Sequence, residues 1–264
     1  MTLPIYQVDA FTSEVFSGNP AAVVPLPQWL DDVTLQHIAQ ENNLSETAFY
    51  VPRDSEFELR WFTPVQEVEL CGHATLAAAH VLFEHAGLQR SSITFHTRSG
   101  ELRVGRSDSG LTLDFPLRWL RTVDVNVAIC DALGGVASEA CEPDDGGWPL
   151  LYVYEFEADI ATMQPDFAAL QRATDRPVVV TAPGDRQDFV SRFFAPQFGI
   201  NEDPVTGSAH CCLMPYWQRR LGRSALHARQ VSMRGGDLLC EVKGDRVFMT
   251  GTAVTYAHGE ILRY

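Results

Sequence analysis

Two short stretches of this sequence place reactive side chains around a glycine that precedes an apolar run. The first, EVELCGHATLAAAH, carries Cys71, Gly72 and His73; the second, NEDPVTGSAHCCLM, carries Asp203, Thr206, Gly207 and Ser208. The start of a helix exposes unpaired N–H groups and the positive end of the macrodipole. A glycine there lets a ligand approach the backbone closely, and such a place binds a carboxylate or phosphate. Each side chain also has a plain structural use. Ser208 can cap its helix, His73 can be a satisfied helix-start histidine, and Asp203-Pro204 can be a turn. Cys71 suits a small buried position better than a catalytic one. A further candidate is Glu46, in NNLSETAFYV. Turned inward among apolar neighbours, its carboxyl would be desolvated and its pKa raised toward general acid–base range. Turned outward, it would be a solvated carboxylate.

Metal and nucleotide chemistry find little support. His73 and His80 are seven apart on one predicted helix, and His210-Cys211-Cys212 is dense in ligand types. Adjacent helical residues point in different directions, however, and no tetrahedral set emerges. No metal is expected. GxGxxG and GxxxxGK[ST] are both absent, so no cofactor is expected either.

The elements that must position these residues are mostly strands. Strands are predicted at 4–10, 20–26, 47–52, 57–63, 92–97, 101–105 and 110–115, then at 150–155, 177–182, 188–194, 228–233, 238–242 and 246–251. Turns fall at Ser99-Gly100 and Ser109-Gly110. Helices are predicted near 31–42, 73–86, 165–173 and 208–220. The second is apolar nearly all round and belongs in a core. Pro215 should kink or break the fourth. Gly72 and Gly207 lie 207 − 72 = 135 positions apart in a chain of 264. Each half therefore reads as strands, a glycine, a buried helix and more strands, which suggests an internal duplication. An anionic small molecule held between two such lobes would occupy a common kind of pocket.

Bulk properties narrow the setting. The formal charge is −14, which repels phosphate backbones, so no nucleic acid partner is expected. No apolar run approaches a membrane span of ~20 residues. The start, MTLPIYQVDAF, has no basic and apolar leader pattern, and the six cysteines lack a disulfide-framework spacing. A cytoplasmic protein with free thiols is expected.

Five motifs in order, GNPAAVV (18–24), NNLSETAF (42–49), RWFTPVQEVELCGHATLAAAH (60–80), EDPVTGSAH (202–210) and SMRGG (232–236), resemble the PhzF family of phenazine-biosynthesis-like isomerases. The resemblance spans nearly the whole chain. It implies an α+β, diaminopimelate-epimerase-like fold of two pseudo-symmetric lobes, each a β-sheet wrapped around a central helix. The lobes would be 1–115, completed by the C-terminal strand 256–264, and 116–255. It implies a cofactor-independent isomerase that shifts a proton on a small carboxylate-bearing substrate, as the best-known member does on an acidic cyclic diene. By the same resemblance Glu46 shuttles the proton, with His73 and Asp203 also catalytic, while Asn19, Gly72, Gly207 and Ser208 bind substrate. A homodimer is implied as well. Related racemases of the fold use two cysteines, one at each helix start. Here the positions are Cys71 and Thr206, and a threonine hydroxyl cannot replace a thiolate. The alternatives are a Cys-dependent epimerase or racemase of the same fold and a non-catalytic small-molecule-binding relative.

Overall fold

The chain is described over residues 2–264 by a computed structural model, Met1 lying outside the described part. It divides into two compact units. One runs to Phe115 and takes back Phe248–Tyr264; the other is Pro116–Val247.

The first unit contains β1 (Leu3–Ala10), β2 (Asn19–Pro25), α1 (Asp32–Asn42), β3 (Glu46–Arg53), β4 (Glu56–Phe62), the short β5 (Glu67–Val68), α2 (Gly72–Glu84), β6 (Ser92–Thr97), β7 (Gly100–Ser107) and β8 (Gly110–Pro116). β1 pairs antiparallel with β2 and with the C-terminal strand Ala253–Ile261. β2 and β3 are parallel, β3 and β4 antiparallel, and β4 and β6 parallel, before an antiparallel meander through β7 and β8. α2 is the centre of this sheet. Every residue of it except His80 and Glu84 is buried, because a helix apolar on all sides must be covered on all sides. Its alanines let the strands approach closely. α1 covers the outer face instead. Asp31 caps it by accepting from the Thr34 N–H at 3.0 Å, and Asn43 ends it in the left-handed conformation. Leu35, Ile38 and Ala39 turn inward onto Val24, Phe49 and Phe62.

The second unit repeats this plan. It contains β9 (Leu120–Val123), α3 (Val127–Leu133), β10 (Glu139–Pro143), β11 (Leu150–Val153), α4 (Glu157–Ala161), α5 (Phe167–Ala173), β12 (Val178–Pro183), β13 (Phe189–Ala195), β14 (Ile200–Asp203), α6 (His210–Leu221), β15 (Ala225–Gln230) and β16 (Gly236–Lys243). The order β9-β10-β11-β12-β13-β15-β16 is antiparallel except at β11–β12 and β13–β15. α3, α4 and α5 share an apolar cluster with β10–β13, while α6 carries seven buried residues from His210 through Trp217. The strand expected at 228–233 lies earlier, at 225–230, because Ser232–Gly235 turns back through a hydrogen bond from the Gly235 N–H to the Ser232 hydroxyl. β9, α3, β10 and α4 are too short to show a period of their own.

Of the two outcomes expected at Pro215, a kink or a break, the break does not occur: α6 runs on through it. Proline removes the N–H that would have bonded to the carbonyl four residues back, which is that of Cys211. That carbonyl accepts the Arg118 N–H instead, at 2.9 Å, so no buried acceptor is stranded. Ser208 is not a cap. Gly207–Ala209 forms a single 3₁₀ turn flanked by Thr206, and α6 proper begins at His210. Among the described residues no helix is long and apolar enough to cross a membrane.

Candidate active site

In the first unit the sheet register brings Asn19 and Glu46 together. Ala21 of β2 is paired directly with Glu46 of β3, so their side chains share a face, and Asn19, two residues earlier, shares it too. That face receives the start of α2. Gly18 fits the tight turn that leads into β2: its φ is +65°, and a Cβ there would meet the Ala10 carbonyl oxygen at 2.2 Å. Only glycine fits this turn.

His73, in the first turn of α2, is the hub. Its Nε2 lies 3.2 Å from Glu46 Oε2, close but not aligned as a hydrogen bond. Its Nδ1 lies 3.1 Å from Asn19 Nδ2 and 3.5 Å from Cys71 Sγ. The side chains of His73 and Glu46 are 4% and 13% exposed, so Glu46 takes the inward of the two orientations. Burial pulls the His73 pKa down to about 3, so its ring is neutral near pH 7 and its contact with Glu46 is not an ion pair. Cys71 precedes α2 without capping it by its side chain, which leaves first-turn N–H groups open at Gly72 and His73. The Thr75 hydroxyl donates to the Cys71 carbonyl and fixes the entry to the helix. Glu46, Cys71 and His73 offer metal-type donor atoms within 4.8 Å of one another. The thiol faces Nδ1 and the carboxylate faces Nε2, however, so neither ring nitrogen has both ligands on its own side. The set does not suit a chelated ion.

In the second unit Asp203, Thr206, Gly207 and Ser208 lie together on the link from β14 to α6. Asp203 ends β14 opposite Phe193. β14 is clamped to β13 by Arg192, whose Nε and Nη2 donate to the two Glu202 carboxylate oxygens at 2.7 and 2.9 Å. The Thr206 hydroxyl donates to Asp203 Oδ2. Ser208 is partly exposed, and its hydroxyl is not used in a cap. His210 is fully buried. Its Nδ1 donates to the Thr206 carbonyl at 3.0 Å, and burial pulls its pKa down to about 4.

Gln230 was missed by the sequence reasoning. It is 1% exposed and staples the link: Nε2 donates to the Asp203 carbonyl at 2.6 Å, and Oε1 accepts the Thr206 N–H at 2.8 Å. Ser232 adds a bond to the Pro204 carbonyl at 2.7 Å. The signal was present in ALHARQ, where the inward positions of β15 are Leu226, Ala228 and Gln230. A polar residue at an inward strand position needs polar partners.

A family model described as phenazine biosynthesis-like protein, PhzC-PhzF, matches residues 8–259. An uncharacterized isomerase of Pseudomonas aeruginosa is 51% identical over 261 residues, 99% of each chain. The crystal structure of a PhzF-family phenazine biosynthesis protein from Enterococcus faecalis superposes with a TM-score of 0.95 at 48% identity, covering 100% of both chains. A probable proline racemase from Agrobacterium radiobacter aligns with a TM-score of 0.68 at 10% identity, over 98% of this chain and 92% of its own. That last likeness concerns the fold alone.

Proposed function

The chain belongs to the PhzC-PhzF family of phenazine biosynthesis-like proteins and is an isomerase of that family; from this premise we propose that Glu46 moves the proton. The observation that carries the reading is a largely buried carboxylate 3.2 Å from a neutral, buried histidine beside a helix start that has no side-chain cap. The Glu46 carboxylate takes a C–H proton next to an unsaturated system and returns it at a different carbon. The substrate carboxylate sits on open N–H groups at Gly72-His73. The neutral ring of His73 donates a hydrogen bond to the charge that develops in the enol- or enamine-like intermediate. In the second unit Asp203 and Ser208 offer polar side chains beside Gly207, with Asp203 held in place by Thr206 and Gln230.

The test uses deuterium wash-in. Small cyclic and amino-acid carboxylates are incubated with the protein in D2O and followed by proton NMR. The wild-type chain should exchange a C–H of its substrate. Glu46→Gln, which keeps the shape and removes the basicity, should lose at least 10²-fold of that rate with an unchanged melting temperature. Exchange by the variant at the wild-type rate would remove Glu46 from the mechanism. A second reading has one observation in its favour, the 3.5 Å approach of Cys71 Sγ to His73 Nδ1, which suits a thiol base. Against it, the Thr206 hydroxyl is already engaged with Asp203. Loss of exchange in Cys71→Ser with retention in Glu46→Gln would establish the thiol reading.

A further inference from the structure

Three side chains stand in a row in the first unit: Asn19, His73 and Glu46. Asn19 is 0% exposed and His73 4%. The nitrogen of the Asn19 amide, which can only donate, faces His73 Nδ1 at 3.1 Å. The ring nitrogen there must therefore be the acceptor. A neutral imidazole has one proton, and with Nδ1 accepting, that proton is on Nε2. Nε2 is the atom 3.2 Å from Glu46. The other neighbour of Nδ1 is Cys71 Sγ, whose thiol can donate to an unprotonated Nδ1 and so is compatible with this tautomer.

We propose that Asn19 is a positioning residue that sets the tautomer of His73, so that the ring presents an N–H, and not a lone pair, toward Glu46. This rests on the reading of Glu46 as the proton-carrying group and replaces the substrate-binding role expected for Asn19. An N–H beside Glu46 favours its ionised form, the form a base needs, and it does so without placing a second charge in the site. An aspartate at 19 would do the reverse. A carboxylate only accepts, so it would draw a proton onto Nδ1, either by switching the tautomer or by making an imidazolium.

The tautomer is read without any substrate. The full-length protein is labelled with ¹⁵N, and two-bond ¹H–¹⁵N correlations of its histidines are recorded at neutral pH, with His73 assigned by its disappearance in His73→Gln. The expected pattern is a protonated Nε2, an unprotonated Nδ1, and a scalar coupling across the hydrogen bond from Asn19 Nδ2 to His73 Nδ1. In Asn19→Asp, Nδ1 should become protonated. In Glu46→Gln the wild-type pattern should persist, because the tautomer is set from the Asn19 side. A protonated Nδ1 in the wild-type protein would overturn the proposal. So would an unprotonated Nδ1 in folded Asn19→Asp, or a switch to Nδ1–H in Glu46→Gln, which would make the carboxylate the determinant. If Asn19→Asp does not fold, the wild-type coupling and the Glu46→Gln spectrum still decide. None of these readouts depends on turnover, so a failed wash-in experiment leaves this result standing, and the reverse holds too.

Discussion

Gln230 ties the Asp203 turn to β15 through both ends of one amide. Its partners, the Thr206 N–H and the Asp203 carbonyl, are buried backbone groups. Leaving such a group unpaired costs roughly 1–3 kcal/mol. Gln230→Leu, close in size, should therefore lower stability by about 2–4 kcal/mol, read from urea denaturation midpoints at constant slope. A change below about 0.5 kcal/mol, the scale of an ordinary surface substitution, would mean that water replaces the amide and that Asp203 is held by Thr206 alone. At the same scale, Glu46 and His73 are close enough to act as one unit, so their substitutions should not add.

At the scale of the element, α2 is the part with least freedom to change. Its alanines exist because strands close on the helix from several sides, and Ala77, Ala78 and Ala79 are each 0% exposed. A larger side chain has nowhere to go, and overpacking of a dense interior costs about 1–3 kcal/mol. Ala78→Leu should show that loss in denaturant unfolding, while Ala86→Leu, at the exposed end beyond the helix, should change stability by less than about 0.5 kcal/mol. Equal effects at both positions would contradict a helix enclosed on all sides. α6 makes the complementary point. Its proline is tolerated because Arg118 supplies the missing donor to Cys211, so the helix depends on a residue far away in sequence.

For the molecule as a whole, the two deeply buried histidines govern the response to acid. The pKa values of His73 and His210 are lowered by burial from 6.5 to about 3 and about 4. Both rings are neutral in the folded chain, whereas the unfolded chain takes up protons below its own pKa of 6.5. Stability is therefore complete above pH 6.5 and falls as the pH drops through the interval from 6.5 toward 4. The slope is about 1.4 kcal/mol per pH unit for each group. Glu142, whose pKa is lowered by its bonds to Arg176 and Arg121, stabilises the fold above 4.5, and that stabilisation is lost only as the pH falls below it. Unfolding free energies measured between pH 7 and 4.5 should show this slope, with a further share from His80, whose pKa burial also lowers, and His210→Gln should remove its own share, about 1.4 kcal/mol per pH unit. An unchanged slope in that variant would show that His210 finds solvent when charged.

The sequence by itself determined the local grammar. GNP, NNLSET, ELCGHAT and EDPVTGSAH are chemistry and turn signals at fixed spacing, and the Ala-rich run after Gly72 could only be a buried helix. Most strand positions followed from β-branched and aromatic runs between turn residues; β15 lies three residues earlier than those runs suggest, and a strand as short as β9 shows no period of its own. The tertiary structure decided what faces what. The inward turn of Glu46 comes from its pairing opposite Ala21, the bond from Asn19 to His73 spans 54 positions, and the clamp on Asp203 comes from a glutamine 27 positions away. The neutrality of His73 is a property of its burial. Local patterns are written in neighbouring residues, whereas register, desolvation and hydrogen-bond direction arise only when distant segments close on one another.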